Sequence, residues 1–170
     1  FELVLLDADG KNPRVLLSER AILLTPAWRP DGRELLVTSY RAGRPEIWSY
    51  GHRNPQALAI HPETGDVWAT EHGPQGGDEL NWIRPGLNYG WPVVTYGAEY
   101  ITGRKIGEGV AKPGMEPPLT HWVPSIAPTG LAVYTGDKIP AWRGNLFVGS
   151  ARIGEIPRTG GIERVDGFTD

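Results

Sequence analysis

Cysteine is absent from the 170 residues, and that single absence removes disulfides, thiolate metal sites and cysteine nucleophiles together. Structural zinc goes with them. No apolar run approaches the roughly 20 residues of a membrane-crossing helix, so no membrane span is expected. There is no basic stripe: 17 Lys and Arg residues are scattered among 20 acids for a net charge of −3, which argues against nucleic acid as a partner. Helical periodicity is hard to find anywhere. The chain opens at Phe1 without a charged-then-apolar leader, which reads as a leader removed or a fragment.

What the chain has in abundance is turn chemistry, with 23 Gly and 16 Pro. Between the turns lie short apolar runs: 3–6, 15–17, 21–24, 35–37, 67–69 and 146–148. These are strand lengths, and the fold class they predict is all-β. A repeat organises them. Ala27 to Ser39 and Ala59 to Glu71 share one order of elements: a strand end, a turn carrying Pro, an acid and Gly, then a second strand. Leu131 to Val148 is a looser third copy, with its turn through Pro140 and Gly144. A recurring hairpin of this kind is the signature of β-propeller blades, each a four-stranded antiparallel sheet. An immunoglobulin-like sandwich is the alternative, but it does not require the same turn to recur.

The most informative stretch is polar. Arg53, Asn54 and Gln56 crowd one turn, and Glu71-His72-Gly73-Pro74 with Asp78 and Glu79 follow about one strand pair later. Each of these side chains costs a few kcal/mol if buried unpaired, so the group is a site rather than a core. Its donors suit a flat or anionic ligand. The simpler reading is that Arg53 and Asn54 only cap a turn and that Glu79 is a solvated acid beside Asp78.

Residues 1–45, with Asp7-Ala8-Asp9-Gly10 and Thr25-Pro26-Ala27-Trp28-Arg29-Pro30-Asp31-Gly32, resemble the repeats of TolB-type periplasmic propellers. From about residue 45 to 150 the chain resembles the soluble aldose sugar dehydrogenases that use pyrroloquinoline quinone (PQQ), the glucose/sorbosone dehydrogenase family. The motifs are Gly51-His52-Arg53-Asn54-Pro55-Gln56, Glu71-His72-Gly73-Pro74, Gly77-Asp78-Glu79, Asn88-Tyr89-Gly90-Trp91-Pro92, Lys112-Pro113-Gly114-Met115-Glu116, Pro124-Ser125-Ile126-Ala127-Pro128 and Trp142-Arg143-Gly144-Asn145-Leu146-Phe147-Val148-Gly149-Ser150. The expected organisation is a TolB-like segment over 1–45 and dehydrogenase-like blades over 46–170, in one continuous propeller-type domain.

The resemblance implies a cofactor and its ligands. Arg53 and Asn54 fall where the family hydrogen-bonds the quinone, with Gln56 nearby. Donors at that place stabilise the charge that appears as hydride arrives. The carbonyls of Gly73 and Pro74 fall where it holds the calcium that bridges to the cofactor, and Glu79 with Tyr89 where it holds a second, structural calcium. Tyr100 and Arg152 match positions that approach the cofactor. The substrate class is an aldose sugar, oxidised at the anomeric carbon, and the implied compartment is periplasmic or secreted.

The departures point the other way. The family carries a general-base histidine in an early blade, and none of His52, His61, His72 or His121 matches it. At about 40 to 45 residues per blade the chain makes three or four blades where both families close at six. It reads as an incomplete or chimeric six-bladed propeller, joined near Arg44-Pro45-Glu46-Ile47-Trp48, whose open edges favour a homo-oligomer. Activity is then expected to be partial or lost, and the alternative function is a non-catalytic TolB-like or self-associating scaffold or binding module. The tryptophans read as packing, with Trp122 allowed a substrate-stacking role.

Overall fold

A computed structural model describes residues 2–5, 11–18, 23–28, 35–39, 49–154, 156 and 159–166, with backbone alone for 2–5, 16–18, 23–28 and 35–39. β1 (Glu2–Leu5) pairs antiparallel with β2 (Arg14–Ser18), and β3 (Leu23–Trp28) with β4 (Leu35–Ser39). A four-stranded antiparallel sheet follows in the order β5 (Pro55–Ile60), β6 (Val67–Glu71), β7 (Asp78–Ile83), β8 (Thr120–Trp122). The next sheet runs β11 (Gly161–Val165), β10 (Leu146–Ser150), β9 (Pro128–Val133). A 3-10 turn at Pro140–Trp142 is the one helical element among the described residues.

The repeat occupies equivalent places. Trp28 pairs with Leu35, Ile60 with Val67 and Val133 with Leu146, so each copy is the first hairpin of its sheet. The turn of the second copy shows how it closes. His61 is buried, its backbone N–H donates to Asp66 and its Nδ1 accepts from the amides of Glu63 and Thr64 at 3.3 Å. The corresponding Pro30-Asp31-Gly32 turn, the Asp7-Ala8-Asp9-Gly10 turn and the proposed join at 44–48 lie outside the described residues. β5 contacts both β3 and β9, which sets the first strands of successive sheets side by side. That is the arrangement of propeller blades around an axis rather than of two sheets facing across a sandwich.

Side-chain alternation divides the four-stranded sheet into two faces. Trp68 and Leu80 point to one face, where with Ile126, Leu146 and Val148 they form the core shared with the β9–β11 sheet. Trp122, half-buried, packs against this cluster. Ala69 and Ile83 point to the other face and bury against Tyr89. Registers Glu71↔Glu79 and Ala69↔Asn81 place Glu71, Glu79 and Asn81 on that second face. The long connection from β7 to β8 folds back over it, with the Tyr96 and His121 ring centres stacked 3.7 Å apart.

Leu80 is fully buried at the centre of the shared core. Leu80→Ala is expected to lower unfolding free energy by about 2–5 kcal/mol, read as a lower urea midpoint at unchanged slope.

Candidate functional site

The site is built on the edge where β6 ends and β7 begins. Gly51 enters it at φ +77, a conformation suited to glycine, and a Cβ there would overlap Asn88 Oδ1. The turn 51–54 is braced from two sides. Tyr89 N–H donates to Tyr50 O at 2.7 Å and Trp91 N–H to Gly51 O at 2.8 Å. From β6, the buried Glu71 carboxylate accepts from Arg53 N at 2.6 Å, Asn54 N at 3.4 Å, His52 Nδ1 at 3.0 Å and Asn81 Nδ2 at 2.9 Å. His52 Nε2 bonds Ser49 Oγ at 2.8 Å and its ring stacks on Tyr89.

The loop 72–77 is held as firmly. Asp78, fully buried, accepts from Gly73 N at 3.0 Å through Oδ1, and through Oδ2 from Ser125 Oγ, Ile126 N and Ala127 N at 2.6, 2.8 and 2.8 Å. Asp78 is therefore an organising group rather than a solvated neighbour of Glu79. A side chain at residue 73 would overlap the carbonyls of Gly76 and Gly77, so only glycine lets this loop fold so tightly.

These constraints aim Arg53. Its Nη1 donates to the carbonyls of His72 at 3.0 Å and Gly73 at 2.8 Å, and Nη2 reaches Tyr100 Oη at 3.4 Å. The guanidinium lies 5.3 Å from the Trp91 ring centre and 5.9 Å from that of Tyr100. Arg53, Gly73, Glu79 and Tyr89 line one cavity of about 10 Å³, close to the least space that holds a water or small ion. An adjoining cavity of about 70 Å³ shares Glu79 and Tyr89.

Of the residues predicted from sequence, the structure thus gathers Arg53, Gly73, Glu79, Tyr89 and Tyr100. Asn54 is exposed, and its Oδ1 accepts from Gln56 Nε2 at 2.9 Å. Pro74 is buried, its ring against Gly97. Arg152, half-buried beyond β10 with its N–H donating to Ile126, is not among the residues lining these two cavities. The Tyr89 hydroxyl donates to Trp82 O at 2.5 Å and accepts from Arg84 N at 2.9 Å. Burial holds its pKa above the ordinary tyrosine value, opposed by those Arg84 contacts. Any oxygen that Tyr89 offers a metal is therefore its carbonyl.

Sequence reasoning missed the Glu71–His52 pair and Trp91. Glu71 and His52 are 19 residues apart and meet only through the β5–β6 register. His52 therefore has a carboxylate partner that its place in the sequence does not reveal. His72 Nε2 is bonded to Pro128 O at 2.9 Å.

The donor set fits a hard cation. Gly73 O already faces a positive group, Glu71 and Glu79 converge from paired strands, and Asn81 Oδ1 is buried without a hydrogen bond. Among the described residues no cluster of three or more His, Asp or Glu has metal-site geometry, so a cation here depends on carbonyl and amide oxygens beside one or two carboxylates. Glu79 lies in an unfavourable setting for a charge: burial first, then the charges of Glu71 and Asp78, push its carboxyl up to about 7 against the Asn81 bond.

Fold and site define a β-propeller with an oxygen-rich, arginine-bearing pocket at one end of a blade. The chain belongs to the glucose/sorbosone dehydrogenase family, whose model matches residues 34–163. It is 45% identical over 125 residues to the aldose sugar dehydrogenase YliI of Escherichia coli K12, across 72% of this chain and 33% of YliI. Identity to the quinoprotein glucose dehydrogenase B of Acinetobacter calcoaceticus is 36% over 105 residues, 60% of this chain and 20% of that protein. Over 50 residues, 29% of the chain and 12% of the relative, it is 72% identical to the Tol-Pal system protein TolB of Anaeromyxobacter sp. strain K. A crystal structure of a glucose dehydrogenase superposes with TM-score 0.70 at 33% identity, covering 94% of this chain and 62% of that one. The chain thus spans a third or less of these curated relatives. Both resemblances read from the motifs are present, and no described helix is long and apolar enough to cross a membrane.

In metal-free buffer the raised Glu79 carboxyl gives a signed expectation. The folded chain binds a proton that the unfolded chain releases between the ordinary carboxyl range and about 7, so stability falls as pH rises through that window. Glu79→Gln should flatten this slope in melting temperature against pH and raise stability above the window. An unchanged slope would show that Glu79 is not the group responsible.

Proposed function

We propose that this chain carries the cofactor-facing part of a PQQ- and calcium-dependent aldose sugar dehydrogenase, with a periplasmic or secreted location. The observation that carries the reading is the Arg53 guanidinium fixed at the His72 and Gly73 carbonyls between two aromatic rings, in one cavity with Glu79 and Tyr89. In this reading Arg53 and Asn54 donate to the cofactor's quinone oxygens, with Gln56 positioning Asn54 through their side-chain bond. The carbonyls of Gly73 and Pro74 hold one calcium; Glu79 and the Tyr89 carbonyl hold a second. Tyr100 and Arg152 would approach the cofactor, as the family resemblance implies, with Arg152 reaching it from outside the two cavities. When bound, PQQ supplies the two-electron acceptor for oxidation of the sugar's anomeric carbon. Family membership and the relatives named for sugar oxidation support this assignment.

The chain's histidines are otherwise engaged. His52 bridges Ser49 and Glu71, His61 caps its turn, His72 bonds Pro128 and His121 stacks on Tyr96. None of them stands at the position the family gives its base, so in this reading the group that removes the sugar hydroxyl proton lies outside them, and turnover by this chain alone should fall short by about 100- to 10,000-fold. The same engagement favours a second reading as a binding or self-associating propeller module.

Reconstitution with PQQ and calcium tests both. The expected result is saturable PQQ binding with little glucose-dependent dye reduction, and about tenfold or greater loss of PQQ affinity in Arg53→Ala, the worth of a charge-assisted hydrogen bond. Absence of PQQ binding would leave the module reading. Association is open to sedimentation: β11 is an edge strand in its sheet with Ile162 74% exposed, and pairing of such edges predicts dimers at micromolar concentration. A monomer throughout the concentration series would remove the homo-oligomer from the proposal.

A further inference from the structure

Two backbone carbonyls aimed at one point repel each other unless a positive group stands between them. Here that group is Arg53. Its Nη1 divides its two N–H bonds between His72 O at 3.0 Å and Gly73 O at 2.8 Å, the second being an oxygen assigned above to calcium. Calcium bound to that carbonyl at about 2.3–2.6 Å would stand within a few ångströms of the guanidinium, where two cations repel and compete for the same oxygen.

We infer that Arg53 is the resident cation of this carbonyl cradle and that metal loading expels its guanidinium, which turns the side chain toward the cofactor. The inference rests on the calcium assignment made in the proposed function and adds an order of events to it. The geometry allows the move. The Arg53 backbone is pinned, because its N–H donates to Glu71 Oε2 at 2.6 Å, so the change is confined to the side chain. The Trp91 and Tyr100 rings flank the guanidinium without holding it to the carbonyls, and Tyr100 is 63% exposed, so the arm has open space beside it. An anionic ligand placed there would draw the expelled arginine and so favour metal binding. Metal and anion become positively coupled through one side chain.

The test is calcium affinity of the full chain by titration calorimetry, with and without PQQ and without any activity measurement. For wild type, PQQ should tighten the weaker calcium site at least tenfold. In Arg53→Gln, which keeps length but removes the charge, calcium alone should bind that site at least tenfold more tightly than in wild type, and the tightening by PQQ should shrink, by a comparable factor, to what direct contact between calcium and cofactor supplies. Arg53→Lys keeps the charge without the forked donors and should fall between the two, which carries the test if the glutamine variant does not fold. Equal or weaker calcium binding in Arg53→Gln, with PQQ coupling intact, would overturn the inference and leave the proposed function standing. If neither protein binds calcium at all, both fall.

Discussion

The carboxylate of Glu71 is the group on which the rest of the site depends. It is 4% exposed, yet four donors converge on its two oxygens: the amides of Arg53 and Asn54, the His52 ring and the Asn81 amide. A buried carboxylate so fully satisfied recovers the cost of leaving water, and breaking it would release a whole turn. Backbone bonds from Tyr89, Trp91 and His72 hold the ends of that turn, and the carboxylate holds its middle. The contrast with Glu79, directly across the strand pair, is instructive. Glu79 receives a bond from Asn81 at 3.2 Å while facing the charge of Glu71, and its carboxyl is correspondingly pushed up. One carboxylate is structural because it has donors, and its neighbour is available to a ligand because it lacks them.

Asp78 does for the following loop what Glu71 does for the preceding one. By accepting from Gly73 on one oxygen and from Ser125, Ile126 and Ala127 on the other, it ties loop 72–77 to the entry of β9, and so ties one blade to the next. The Gly73 amide is turned inward toward Asp78, while those of His72, Gln75 and Gly77 donate to the carbonyls of Asn54, Ala98 and Trp122. That orientation leaves the carbonyls of His72 and Gly73 facing the cavity, where Arg53 meets them. An oxygen-lined pocket is thus a by-product of how the loop satisfies its own amides, and Gly73 is required because the fold leaves no room for a side chain.

The repeated hairpin was legible in the sequence because turn chemistry and strand alternation are local: Ile60, Val67, Val133 and Leu146 occupy the places that the repeat assigned. Arg53 and its turn were legible as a polar excess that no core could absorb. What was not legible depended on register. Glu71 meets Glu79 only because β6 and β7 pair as they do, and a single residue of slip would have sent one of them to the opposite face. The same register carries Trp122 toward the core, while Trp91 comes under Arg53 through the backbone bond from Trp91 to Gly51. Asp78 and Glu79 are adjacent in sequence and look alike there. Alternation along a strand gives them opposite surroundings, which is why one organises a loop and the other faces a cavity.

Arg53 joins these strands of argument because one side chain answers two demands. As a structural group it neutralises a pair of convergent carbonyls, and the aromatic rings beside it add their attraction for its charge. As a functional group it is the one strong donor already held at the mouth of the cavity by a pinned backbone. A lysine would place a compact charge at the same spot, but it could not keep the planar face against Trp91 while its donors divide between two carbonyls. The fork and the flatness of arginine are therefore both in use before any ligand arrives. A flat, oxygen-rich ligand would replace the carbonyls of His72 and Gly73 as acceptor once the guanidinium leaves them, so the resting contact already has the chemistry of what the site receives.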